Sequence, residues 1–375
     1  MERPQFTDLN PSPRILLGPG PSMVPPRVLH ALGMPVLGHL DPEFLNLMNE
    51  VQQLLRYVFQ TANPLSIPIS GTGSAGMEAA LCNFIEPGDR VLIAVNGYFG
   101  ERLCDMAGRY GAQVDRLECP WGEVFDPAQI EKALDSHKYK LLALIHAETS
   151  TGALQPGIAD ITAAAHRNGA LVVLDTVTSL GGVPVEIDTW GVDIAYSATQ
   201  KCLSCPPGLS PLTASDRALE VINNRRTPVP NWYLDLSQVV KYWGKERTYH
   251  HTAPINMNYA LREALRLITE EELEPRFARH RAHAEMLWSG LEAMGLKLHV
   301  QIAYRLPTLT TVKIPSSVMD EAAVRRRLLD EFNIEIAGGL GPLKGKVWRI
   351  GLMGFSSRRE NITLLLEALQ EAISA

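Results

Sequence analysis

Between Leu65 and Thr213 the chain alternates short, solidly apolar runs with longer amphipathic ones, and that alternation narrows the folds open to it. The strand-like runs are Leu65–Ser70, Arg90–Val95, Gln113–Leu117, Leu141–His146, Leu171–Asp175, Asp193–Ser197 and Leu209–Ala214. Most are apolar throughout rather than alternating, as expected of parallel strands covered on both faces. Helix-like runs at Ala75–Ile85, Phe99–Tyr110, Ala128–Ser136 and Ile158–Asn168 separate several of them, with Pro87-Gly88, Gly111 and Gly169 at the helix ends. An α/β fold follows, with an open, mostly parallel sheet and crossover helices.

After Asp216 the texture changes. A helix over Asp216–Arg225 precedes a connection rich in proline and aromatic residues, Thr227–Thr252, and a long helical stretch runs from about Asn256 into the 280s. Strand-like Leu296–Val300, Thr308–Ile314, Ile334–Ala337 and Val347–Leu352 then alternate with helices Asp320–Glu331 and Arg359–Ile373, an α+β layer of its own. At 375 residues the chain is long enough for more than one domain. The reading is an N-terminal segment (1–22), a large domain (23–260) and a smaller C-terminal domain (261–375). With 35 Lys+Arg against 41 Asp+Glu, the net charge of −6 argues against nucleic acid and anionic membranes as partners. No apolar run approaches the roughly 18–20 residues of a membrane span. The start lacks a signal-peptide pattern, and Ile373-Ser374-Ala375 is no peroxisomal address. Five cysteines do not make a disulfide scaffold. A cytoplasmic protein is expected.

Gly71-Thr-Gly73-Ser-Ala-Gly76 follows a strand and opens a helix, matching the dinucleotide pattern G-x-G-x-x-G. That pattern also needs an acid about 20 residues on for the ribose, whereas the next strand ends in Asn96-Gly97. The backbone N–H groups of a helix start, with the hydroxyls of Thr72 and Ser74, still make a phosphate cradle. The plainer alternative is a tight turn with a capped helix. Asp175 ends an apolar strand, and Lys201 stands just beyond another, 201 − 175 = 26 residues on. Strand ends of open sheets are where ligands bind. A lysine, an acid and an anion cradle together describe pyridoxal 5′-phosphate, which takes a lysine for a Schiff base, an aspartate for its ring nitrogen and an anion site for its phosphate.

With these residues in place, the chain resembles the fold-type I, class V aminotransferases, in particular the alanine–glyoxylate and serine–pyruvate group and its cyanobacterial-type members. The likeness runs through Leu17-Gly-Pro-Gly-Pro-Ser22, Ser70-Gly-Thr-Gly-Ser-Ala-Gly-Met-Glu78, His146-Ala-Glu-Thr-Ser-Thr-Gly152, Asp175-Thr-Val-Thr-Ser-Leu-Gly-Gly182, Ser197-Ala-Thr-Gln-Lys201, Tyr249-His-His-Thr252 and Gly338-Gly-Leu-Gly-Pro through Arg349-Ile-Gly-Leu-Met-Gly354. The resemblance implies that Lys201 is the Schiff-base lysine and Asp175 the partner of the pyridinium nitrogen. It makes Thr72, Gly73, Ser74 and Gln200 phosphate-side residues, and Thr149 and Val177 contacts of the ring. Phe99 falls where relatives often carry a stacked tryptophan, and Ser74 where some carry histidine. Arg349 matches the clamp for the substrate α-carboxylate, with Gly20 and Thr149 lining the same pocket. Tyr249 and Thr252 match residues that reach the phosphate in a neighbouring subunit, which implies a homodimer with shared sites.

Other signals weigh less. His146 and His250-His251 lack the carboxylate or cysteine spacing of a metal site. Cys202-Leu-Ser-Cys205 reads as two packed thiols rather than a redox pair. A class V desulfurase needs a cysteine in the C-terminal part, yet all five lie at or before Cys205. A non-catalytic dinucleotide-binding module leaves Lys201, Asp175 and Arg349 without a purpose. The activity implied is ping-pong transamination from alanine or serine to glyoxylate. Pyruvate is the alternative acceptor, and an aromatic donor of the 3-hydroxykynurenine type is conceivable beside the smaller Ser74 and Phe99. Arg349 is the only pocket cation the sequence singles out, which disfavours dicarboxylic donors.

Overall fold

The computed structural model describes residues 3–374; Met1, Glu2 and Ala375, which belong to the expected terminal segments, lie outside the described residues. Seven strands form the main sheet: β1 (Leu65–Ser70), β2 (Arg90–Val95), β3 (Gln113–Glu118), β4 (Leu141–Ile145), β5 (Leu171–Asp175), β6 (Ile194–Tyr196) and β7 (Leu209–Ala214). Their order across the sheet is β1-β7-β6-β5-β4-β2-β3, and only β7 runs against the rest. β4 and β5 are buried along their whole length, which is why they read as unbroken apolar runs. β3 is an edge and reads differently. It carries Asp115, Arg116 and Glu118, none of them buried, and Asp115 pairs with Arg90 at 2.7 Å. Charge on an open edge discourages pairing with another chain.

Helices cover both faces. α1 (Pro42–Phe59), which the sequence reading passes over, buries Phe44, Met48, Val51, Leu55 and Phe59 at helical spacing behind an Asp41 cap. α2 (Gly73–Cys82) and α3 (Tyr98–Arg109) follow β1 and β2. The irregular connection contains a short helix, Leu236–Trp243, capped by Asp235. The long helical stretch is two helices, α4 (Ile255–Glu271) and α5 (Leu273–Ala293), which meet at Glu272 with φ of 66°.

Residue 260, where the texture suggested a boundary, lies inside α4, and Ala260, Leu261, Ala264, Leu265 and Ile268 all join the core around the main sheet. The change of core comes later, along α5: Leu273 and Phe277 pack into the first cluster, Leu287 and Leu291 into the second. That second core sits against a small antiparallel sheet of β8 (Leu309–Lys313), β9 (Ala337–Gly338) and β10 (Val347–Gly351), ordered β8-β10-β9, and against α6 (Arg359–Ser374). The expected strand over Leu296–Val300 reduces to one bridge, Leu298 to Val312. Its neighbour Ile334–Ala337 is divided, because Ile334–Glu335 pairs with Ile15–Leu16 from the N-terminal segment. Gly351 N–H donates to Leu17 O at 2.8 Å, so the segment is pinned to the small sheet before it turns toward the main one. Among the described residues no helix is long and apolar enough to cross a membrane.

Candidate active site

Strand register decides what meets at the carboxyl edge of the main sheet. Ile145, Asp175 and Tyr196 stand level on β4, β5 and β6. The loops that follow carry Thr149, Val177 and Lys201 to the same place. The start of α2 closes the other side. A cavity of about 200 Å³ results, lined by Thr72, Gly73, Ser74, Phe99, Thr149, Asp175, Val177, Gln200 and Lys201, together with Met77, Arg102, Ile145 and Ala198.

Its floor is the open first turn of α2. Thr72 is the N-cap in extended conformation, yet its hydroxyl makes no capping bond, so the first N–H groups remain available to an anion. The three glycines have separate reasons. Gly71 turns the chain at φ 130°. A Cβ at Gly73 would stand 2.9 Å from the Ala198 methyl, and one at Gly76 would collide with Ser210. The G-x-G-x-x-G spacing here lets a helix start press against strand ends, with no ribose-binding acid required.

Asp175 is buried. Its Oδ2 accepts from Tyr196 Oη–H at 2.6 Å and its Oδ1 from Val177 N–H at 2.8 Å. Burial pushes its carboxyl up to about 6, against the pull of these donors and of the charges on Lys201 and Arg102. Lys201 is half-buried, and burial first, then the Arg349 charge, lowers its amine to about 8. Its Nζ donates to Pro19 O. Ser22 donates from N–H to Gln200 O at 2.9 Å and from Oγ–H to Lys201 O at 2.7 Å. At Gly20 a Cβ would stand 2.7 Å from Nζ, so the N-terminal segment packs directly on the lysine.

Arg349, on β10, is buried. It donates from Nε to Gly338 O at 2.8 Å and from Nη1 to Thr149 O at 3.3 Å, with no carboxylate partner among the described residues. Burial lowers it to about 10 while Glu148 counters. The remaining N–H donors of its fork are free for a ligand carboxylate. Thr149 shares a hydroxyl hydrogen bond with Thr178.

The remaining predicted residues lie elsewhere. Tyr249 is 53% exposed, with Oη 3.3 Å from the Thr252 hydroxyl, and neither lines this chain's cavity. His250 and His251 pack on Trp232 and Tyr233, with ring centroids 4.2 Å apart in both pairs. Cys202 and Cys205 are buried free thiols; burial pushes Cys202 up to about 11 and Cys205 further. A larger cleft, about 1010 Å³, runs past Arg27, Arg276, Arg279 and Phe355, but it contains no lysine or aspartate of the kind described.

Three residues went unassigned in the sequence reading. Tyr196 orients Asp175. Glu148 is fully buried; its Oε1 accepts from Ser150 N–H at 2.9 Å and Ser150 Oγ–H at 2.7 Å, and its Oε2 has no partner among the described residues. Burial pushes its carboxyl up to about 7. Arg102 is the third, a second cation in the cavity. It lies one helical turn past Phe99, a spacing that puts both on one face.

An uncapped helix start, a lysine lowered to about 8, a hydrogen-bonded buried aspartate and a close-packed Gly73 suit pyridoxal 5′-phosphate as a donor set. Fold and site define a pyridoxal-phosphate-dependent enzyme of fold type I. The family model "Aminotransferase class-V" matches residues 15–360. The chain is 44% identical to the (S)-ureidoglycine–glyoxylate transaminase of Bacillus subtilis, over 96% of this chain and 90% of that one. It is 45% identical to the alanine–glyoxylate aminotransferase of Callithrix jacchus, over 96% and 87%. The crystal structure of alanine–glyoxylate aminotransferase from Nostoc sp. superposes with a TM-score of 0.96 at 58% identity, covering 98% of this chain and 97% of that one. The chain belongs to the class V aminotransferases.

Proposed function

We propose that the protein transfers the amino group of alanine, or serine, to glyoxylate, giving pyruvate, or hydroxypyruvate, and glycine, in two half-reactions at one site. The observation that carries this reading is that Lys201 and the buried Asp175 carboxyl line one cavity floored by an open helix start. The likeness to transaminases named for glyoxylate in Callithrix jacchus, Nostoc sp. and Bacillus subtilis supports that acceptor.

When bound, pyridoxal 5′-phosphate supplies the electron sink for the substrate α-carbon and stores the amino group between half-reactions. Thr72, Gly73, Ser74 and Gln200 would hold its phosphate, and Phe99, Val177 and Thr149 would contact its ring. Asp175, fixed by Tyr196, would hold the ring nitrogen protonated. Arg349 clamps the substrate carboxylate, with Gly20 and the Thr149 backbone walling the pocket. Lys201 Nζ anchors the cofactor. Lys201 Nζ would also serve as the general base that moves the substrate α-proton, and an amine lowered to about 8 suits that task near neutral pH. Exposed Tyr249 and Thr252 reach the phosphate of the partner's site in a cytoplasmic homodimer, so each site is completed by a second copy. The segment up to Ser22 closes over Lys201 from the small-sheet side. Borohydride reduction followed by peptide mass spectrometry tests the assignment: cofactor mass on the Lys201 peptide is expected. Label elsewhere, or turnover by Lys201→Ala above a few per cent, rejects it.

A further inference from the structure

Arg102 lines the cavity, yet none of the roles above uses it. It sits on α3, and its guanidinium lies over two rings, 4.9 Å from the Phe99 centroid and 5.4 Å from that of Tyr98. It makes one hydrogen bond, from Nη1 to Ser74 Oγ at 3.1 Å. Arg109 on the same helix pairs with Asp105 at 3.0 Å; Arg102 has no carboxylate partner among the described residues. One of five N–H donors is therefore engaged. That one is directed to the second residue of α2, beside the uncapped Thr72 and the close-packed Gly73.

These features belong together. The first turn of α2 offers N–H dipoles to an anion but no full charge. Gln200 and Thr72 are neutral, and Lys201 is engaged with Pro19 O and with the chemistry. Among the described residues, Arg102 is the one cation that hydrogen-bonds to that helix start. A guanidinium already held against aromatic rings loses little freedom when it forms charge-assisted hydrogen bonds to phosphate oxygens. We infer that Arg102 is a further ligand of the cofactor's phosphate, closing over the anion that Thr72, Gly73 and Ser74 cradle from the helix side. The inference rests on the reading that this cavity holds pyridoxal 5′-phosphate. It also explains why a second cation need not mean a dicarboxylic substrate: the charge serves the phosphate end of the cavity rather than the end clamped by Arg349.

The competing role is packing, in which Arg102 only steadies Phe99 and Tyr98. Apoprotein titrated with pyridoxal 5′-phosphate, and separately with pyridoxal, which lacks the phosphate, distinguishes the two. Arg102→Met keeps an unbranched apolar stem over the rings and removes the charge. It is expected to weaken pyridoxal 5′-phosphate binding about tenfold or more, the loss of a charged hydrogen bond, while leaving pyridoxal unchanged. Arg102→Lys keeps the charge without the planar fork and is expected to fall between, again for the phosphorylated ligand alone; it carries the test if the methionine variant does not fold. Equal weakening of both ligands, or of neither, overturns the inference. So does a raised KM for 2-oxoglutarate with cofactor affinity intact, since Arg102 would then read a substrate carboxylate. If wild-type apoprotein binds pyridoxal as tightly as its phosphate, the cofactor reading itself fails, a result separable from the others.

Discussion

Replacing Lys201 with methionine is expected to make the apoprotein more stable while abolishing turnover. The amine stands at about 8 in the folded chain against an ordinary 10.5, chiefly through burial, so charging it in the fold is unfavourable. Each unit corresponds to about 1.36 kcal/mol, and 10.5 − 8 = 2.5 gives a gross penalty of ~3 kcal/mol at pH 7. Partial exposure of the residue reduces that figure, and losing the hydrogen bond to Pro19 O costs about 1 kcal/mol. A net gain of ~1–2 kcal/mol at pH 7 remains for Lys201→Met. The pH dependence follows from linkage. Between about 8 and 10.5 the unfolded chain binds a proton at Lys201 that the folded chain does not, so wild-type stability rises with pH across that window. The variant lacks this rise, and the gap between the two proteins closes as pH approaches 10.5. Urea denaturation of both apoproteins from pH 7 to 10.5 measures it, read at constant m. A variant no more stable than wild type at pH 7, or a gap that does not shrink with rising pH, refutes the reasoning about the lysine's environment.

Other outcomes follow from the same geometry. Arg349→Lys loses the bidentate fork and is expected to lower kcat/KM by about 2–4 kcal/mol of transition-state binding, alike for alanine, serine and glyoxylate; steady-state kinetics that show a near-silent change contradict the clamp. Mixing Lys201→Ala protomers with a Tyr249→Phe/Thr252→Val variant, each inactive alone, is expected to restore partial activity in heterodimers. Confirmed heterodimers without activity contradict the shared site.

Much of the fold was legible because its determinants are local. β1, β2, β5 and β7 begin and end where the apolar runs do, and Asp175 and Lys201 stand out because one ends such a run and the other follows one. What was hidden depends on tertiary placement. The break at Glu272 uses a positive φ in a residue with no local preference for it, so α4 and α5 read as one helix. Ile334–Glu335 pairs with a segment more than 300 residues away, an association no local pattern encodes. Arg102 and Glu148 carry no local signal of their own; their surroundings appear only when α3 turns toward α2 and when Glu148 is seen enclosed with one oxygen unpartnered among the described residues. Tyr249 and Thr252 are exposed in the single chain, and the role proposed for them requires a second copy.

The central claim, amino transfer in two half-reactions between alanine and glyoxylate, is tested most directly by a single turnover. Holoenzyme mixed with alanine in the absence of any acceptor is predicted to release about one pyruvate per subunit and stop. Later addition of glyoxylate, after the excess alanine is removed, is predicted to yield about one glycine per subunit and return the enzyme to its starting spectrum. No pyruvate before the acceptor arrives, or a complete cycle with glutamate and 2-oxoglutarate but not with alanine and glyoxylate, would contradict the account.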